Sequence, residues 1–155
     1  MSATVKTETA APSQIFVHAT AIAIERSGML LLGPSGSGKS DLALRLIDAG
    51  ARLIADDQVI LTRVGERLIA NAPPTLAGRI EARGIGILTL DGGRLWRKMP
   101  IALAVELVAP DRLERLPEDA TRDFLGIALK LIRLAPFESS AVAKLRLAVA
   151  SMKRA

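Results

Sequence analysis

The amino-acid sequence predicts an α/β fold on three grounds. A short apolar run, MLLL (Met29 to Leu32), feeds directly into a glycine-rich loop, GPSGSGKS. That loop opens a helix-sized segment with its apolar residues on one face, and a second apolar run, ARLIA, follows at once. Downstream, the chain turns to short β-like segments separated by turn residues.

The elements follow in chain order. Residues 1–14, MSATVKTETAAPSQ, are small and polar without the apolar run of a secretory signal, and they read as a flexible tail before a single domain at 15–155. IFVHATAIAI, from Ile15 to Ile24, alternates apolar and small residues, which predicts one or two strands before the polar turn Glu25-Arg26-Ser27-Gly28, with a hairpin there. After MLLL and the loop, a helix is predicted from Ser40 to Ala49, with Leu42, Ala43, Leu46 and Ile47 on one face and Gly50 closing it. ARLIA is the next strand, and a right-handed crossover would bring it parallel to MLLL. QVILTRV, RLIA and GILTL read as further strands, IALAVELV as a buried one, residues 116–121 as a polar connection, and Leu129 to Leu134 as the last strand. A closing helix is expected behind Ser139 or Ser140, ending at Lys153-Arg154 as the helix dipole favours.

Composition removes several classes of function. With 155 residues, half of them hydrophobic, one filled core is within reach, and no apolar stretch is long enough to span a bilayer as a helix. There is no cysteine, which excludes disulfides and thiolate metal sites and, without an export signal, points to the cytoplasm. His18 is the single histidine, so any metal must sit among oxygen ligands, as Mg²⁺ does. A net charge of +5 raises nucleic acid as a partner, but aromatics are 3% and the arginines are scattered. Phosphorylated small molecules or an acidic protein suit that charge equally well. The expectation is no nucleic acid and no membrane.

Gly33, Pro34, Ser35, Gly36, Ser37, Gly38, Lys39 and Ser40 fit G-x-x-x-x-G-K-[ST], the Walker A pattern. Glycines let the backbone curl until several N–H groups converge on a β-phosphate, and the following helix adds its positive end. Lys39 would reach the β- and γ-phosphates, and the Ser40 hydroxyl would take one position on Mg²⁺. The plain alternative is a glycine-serine turn capping a structural helix. A strand before and an amphipathic helix after are what phosphate binding requires.

Asp56 and Asp57 follow ARLIA, at the strand end where open α/β sheets bind ligands. Neighbours on a strand point to opposite faces, so one acid would face a γ-phosphate and the other a neighbouring group. A carboxylate there can hold Mg²⁺ through water, as in P-loop hydrolases, or take a proton from a hydroxyl nucleophile, as in kinases. The pair can also simply open a turn. His18 reads either as a satisfied histidine beside a strand or as part of the site.

These residues, in this order and spacing, resemble the catalytic domain of HPr kinase/phosphorylase, the bacterial enzyme acting on a serine of the phosphocarrier HPr. The resemblance rests on HATAIAI, GPSGSGKS, RLIADD and EARGIGIL, the last similar to that family's E-x-R-G-[LI]-G-I signature, and it spans Ile15 to Ala148. It implies the P-loop nucleotide-binding fold of the HPr kinase / phosphoenolpyruvate carboxykinase type, with a mixed sheet. It also implies ATP and Mg²⁺ as cofactors and an HPr-like phosphocarrier as partner. Carried over, Lys39 binds phosphate, Ser40 and Glu81 bind Mg²⁺, and Asp57 is the general base with His18 beside it and Asp56 next to it in the catalytic set. Arg83 either faces the phosphates or pairs with a surface acid.

The chain departs from the family in three places. These 155 residues hold no counterpart of the family's large N-terminal domain, and so resemble the short forms that consist of the catalytic domain alone. The V-R-P-G-R-N segment corresponds to Leu134-Ala135-Pro136-Phe137-Glu138-Ser139, which keeps the proline and loses the functional arginine, leaving Arg133 as the nearest substitute. The chain also ends before the region tied to phosphorolysis, so the resemblance carries forward transfer without the reverse reaction or the hexamer, and homo-oligomerisation stays open. Two other classes compete: a nucleotide-binding regulator without transfer, and a generic P-loop NTPase or small-molecule kinase.

Overall fold

Leucine-, isoleucine- and valine-rich segments interrupted by polar and glycine turns become strands, and the two long amphipathic stretches become helices. The computed structural model describes residues 13–154. Residues 1–12 of the expected tail lie outside the described residues, and Gln14 already belongs to a strand. In chain order the elements are β1 (Gln14–His18), β2 (Thr20–Ile24), β3 (Ser27–Leu32), α1 (Lys39–Asp48), β4 (Arg52–Ala55), β5 (Gln58–Val64) and β6 (Arg67–Asn71). They continue as β7 (Arg79–Ala82), β8 (Gly86–Thr89), β9 (Lys98–Leu107), β10 (Ala120–Phe124), β11 (Ile127–Leu134) and α2 (Ala141–Arg154).

Strand order across the main sheet is β1-β5-β6-β9-β3-β2-β4, with β11 also on β9 and β10 beyond β11. β9 runs parallel to β3 and β11 while every other pairing is antiparallel, so the sheet is mixed, as the resemblance implies. β9 joins the two halves. Its first residues, Lys98 to Pro100, pair with β6, and from Leu103 onward it pairs with β11. β7 and β8 form a separate hairpin.

One expectation about the topology fails. The sequence predicts β3 and β4 as parallel neighbours, but β2 lies between them, antiparallel to both. The cause is local: the Glu25-Arg26 turn sets Ile24 opposite Ser27, so β2 takes the edge of β3 that β4 would have used. β3 and β4 still point the same way, which keeps their carboxyl ends at one margin. Two strands also escape the sequence pattern, β7 and β10. Ala120–Phe124 is exposed over most of its length and so lacks an apolar signal.

Strand alternation divides the core between the two faces of the sheet. On one, Met29, Leu31, Leu53, Leu103 and Val105 pack against Leu42, Ala43 and Leu46 of α1 and Ala141, Leu145 and Val149 of α2. On the other, Leu30, Ile54 and Ala104 meet Leu61, Leu68, Phe124 and Leu129. α1 ends at the Ala49 cap, with Gly50 following at φ 105°. Ser140 stands just before α2, and its carbonyl accepts the first helical bond, from Lys144 N–H at 2.8 Å. No helix among the described residues is long and apolar enough to cross a membrane.

Candidate active site

The loop between β3 and α1 is held open from within. Ser37 N–H donates to the Pro34 carbonyl at 3.0 Å, and the Lys39 ammonium donates to the carbonyls of Gly33 (2.6 Å) and Pro34 (3.0 Å). Gly38 is the cap of α1 at φ 101°, and no side chain caps the helix, which leaves its first N–H groups directed at whatever occupies the loop. A Cβ at Gly38 would lie 2.8 Å from Phe137 Cζ, so the ring packs against the loop here, while it is the backbone conformation that calls for glycine. Lys39 is buried, 7% exposed. Burial pushes its pKa below the ordinary lysine value, and the carboxylates of Asp57 and Asp56 oppose that shift without cancelling it.

The two aspartates are separated by a turn. Asp56, 8% exposed, accepts from Thr20 Oγ1 at 2.8 Å and from Ser40 Oγ at 2.9 and 3.0 Å, with the Glu81 N–H at 3.4 Å. Asp57 takes φ 73°, a left-handed conformation that aspartate tolerates better than most residues, and the chain reverses there into β5. Strand alternation is therefore not what distinguishes the pair, contrary to the sequence argument. The Asp57 carboxylate stays largely exposed, with His18 Nδ1 3.4 Å away.

One cleft gathers most of the predicted residues. His18, Ser35, Gly36, Gly38, Lys39, Ser40, Asp57, Glu81 and Arg83 all line it. Gly33, Pro34 and Ser37 complete the loop behind them, and Asp56 is buried against Ser40. Arg83 sits at the tip of the β7–β8 hairpin, and among the described residues no ion pair involves it. Arg133 does not reach the cleft: its Nε donates to Glu106 Oε1 at 2.8 Å across the β9–β11 pairing, so it is no substitute for the lost arginine.

Sequence reasoning missed two residues. Thr20 is fully buried and anchors Asp56, and its only signal was a hydroxyl inside an otherwise apolar run. Phe137 lines the cleft although 69% exposed. The oxygen donors suit a hard cation: the Ser40 hydroxyl and the Glu81 carboxylate would leave the remaining positions to phosphate oxygens and water, as Mg²⁺ prefers.

The family model of the HPr serine kinase C-terminal domain matches residues 9–154. The HPr kinase/phosphorylase of Bordetella petrii is 41% identical over 127 residues, covering 76% of this chain and 41% of the relative. That of Caldanaerobacter subterraneus subsp. tengcongensis is 40% identical over 130 residues, covering 81% and 41%. The chain thus spans about two fifths of the length of these curated relatives. The structure of the Hpr(Ser) kinase/phosphatase from Coxiella burnetii superposes with a TM-score of 0.78 at 28% identity, covering 90% of this chain and 99% of that one.

Proposed function

The chain belongs to the HPr serine kinase C-terminal domain family, and on that premise we propose that it is an ATP-dependent, cytoplasmic serine kinase for HPr or an HPr-like phosphocarrier of the bacterial phosphotransferase system, regulating carbon metabolism. The observation that supports this most is the exposed Asp57 carboxylate lining the same cleft as Lys39 and Ser40.

In this reading the loop N–H groups and Lys39 hold the phosphates. The substrate serine Oγ attacks the γ-phosphorus, the bond from phosphorus to the β,γ-bridging oxygen breaks, and ADP leaves. The serine proton passes to Asp57, which His18 orients. Asp56 fixes Ser40 by hydrogen bonds and so shapes the floor of the cleft. Ser40 and Glu81 would hold Mg²⁺, with Asp56 beside them, and the ion would neutralise phosphate charge. Arg83 faces the phosphates.

A second reading, a nucleotide-binding regulator without transfer, draws support from Arg133 being engaged by Glu106 and leaving no arginine in place of the family's. Incubating the chain with ATP and purified carrier, followed by mass spectrometry, separates the two. The kinase reading expects one carrier serine to gain phosphate. An unmodified carrier alongside measurable ATP binding would favour the regulator. ATP turnover that Asp57→Asn leaves unchanged would point to a generic P-loop NTPase.

A further inference from the structure

Next to the phosphate loop, on the side away from the acids, lies a second cleft of about 490 Å³. Pro34, Ser37, Leu107, Ala109, Pro136 and Phe137 line it. We propose that this cleft is the nucleobase subsite and that Phe137 is the platform on which the base stacks. The proposal rests on the nucleotide reading of the loop and adds to it the direction in which the nucleotide lies.

That direction follows from strand order. Asp57 comes after β4, and β4, β2 and β3 are successive neighbours, so the acid lies to one side of the loop. The cleft is built from the segments after β9 and β11, which extend the sheet on the other side of β3 as parallel neighbours. Ligands of such sheets occupy the carboxyl margin. A triphosphate resting on the loop with its terminal phosphorus toward Asp57 therefore directs its ribose and base toward Phe137.

The chemistry of the walls selects the same occupant. They are almost wholly apolar, and the one acid among them, Glu138, is paired with Lys144 at 2.9 Å. A phosphate gains nothing there, whereas a neutral aromatic base does. Phe137 is 69% exposed, yet its ring rests on Gly38, so one side of it packs on the loop and much of the rest is open. A phenyl ring held that way beside a phosphate loop offers a stacking face to any base.

The walls are also fixed in advance. The Arg45 guanidinium, which pairs with Asp41, donates to the Pro136 carbonyl. Val108 N–H donates to the Leu134 carbonyl at 2.9 Å, joining the two segments where they leave the sheet.

Calorimetric binding of Mg-ATP and of Mg-tripolyphosphate, which has the phosphates but no base or ribose, tests this on the full chain. Wild type should bind ATP more tightly than tripolyphosphate. Phe137→Ala should weaken ATP roughly five- to a hundredfold while the tripolyphosphate constant stays within about twofold. Phe137→Trp should restore ATP affinity, and Ala109→Leu, which fills the cleft from an exposed position, should reproduce the selective loss. Equal losses for both ligands, or none for either, would overturn the subsite and leave the phosphate reading standing. A shift in sedimentation on Phe137→Ala with ATP affinity unchanged would assign the cleft to a second copy of the chain. Wild type binding neither ligand would instead remove the nucleotide reading on which the proposal rests.

Discussion

Asp56 and Asp57 differ by one position in sequence and by almost everything in environment. Asp56 is buried, and two hydroxyls and a backbone amide approach its oxygens. The Asp57 side chain is 66% exposed, with His18 Nδ1 3.4 Å away. The cause is the backbone: φ 73° at Asp57 swings the second carboxylate out of the packed region into the cleft. A carboxylate whose lone pairs are engaged by protein donors serves as an anchor, and one whose lone pairs face open space can accept a proton. The fold thus separates a buried, hydrogen-bonded carboxylate from an exposed one within one dipeptide.

Under the proposed function, the largest effect should fall on the exposed member. Asp57→Asn keeps size and polarity but cannot take the proton, so phosphoserine formation should drop roughly 10²- to 10⁴-fold. Folding stability should stay within about 0.5 kcal/mol, because the side chain is exposed. Mass spectrometry of the carrier and a thermal melt report the two quantities separately. Loss of stability with transfer intact would reverse the division.

Asp56→Ala should act first on stability. It strands the Thr20 and Ser40 hydroxyls and should cost about 1–3 kcal/mol, lowering Tm by roughly 2–4 °C per kcal/mol. Calorimetric melting of the nucleotide-free protein measures this. An Asp56→Ala chain as stable as wild type would show that the buried acid anchors nothing.

Lys39, whose charge both carboxylates favour, tests how far the site is held at the expense of stability. Its burial lowers its pKa, so the folded state binds its proton less tightly than the unfolded chain does. The destabilisation is therefore fully present below the folded pKa. It is relieved as pH rises through that value toward the ordinary lysine pKa of about 10.4. Lys39→Met should accordingly abolish phosphate binding yet raise Tm by a few degrees without nucleotide or metal, with the gain largest at the low end of a pH series and shrinking toward about pH 10. A Tm lowered at every pH would mean that the bonds to Gly33 and Pro34 outweigh the desolvation.

What was legible in the sequence follows the range of the interactions involved. The loop could be read because eight contiguous residues define its geometry, and α1 because its face repeats at helical spacing. The acids could be placed at the sheet margin but not told apart by strand alternation, since a backbone turn separates them. The order β3-β2-β4 was hidden because a two-residue hairpin decided which strand took the free edge. Thr20 and Phe137 were invisible for a different reason. Each meets its partner only after distant strands have paired, and neither belongs to a local pattern.

Thr20 provides the finest test of the division. Its hydroxyl donates to Asp56 at 2.8 Å from a fully buried position, and valine has the same shape without the donor. Thr20→Val should cost about 1 kcal/mol in urea unfolding. Combined with Asp56→Ala, the two losses should fall short of additive by a measurable coupling energy, since each removes the same bond. Transfer should fall by much less than in Asp57→Asn, because Thr20 acts on the reaction only through Asp56 and Ser40. Additive losses would mean that the hydroxyl and the carboxylate are neighbours without being partners, and that Ser40 alone holds the buried acid in place.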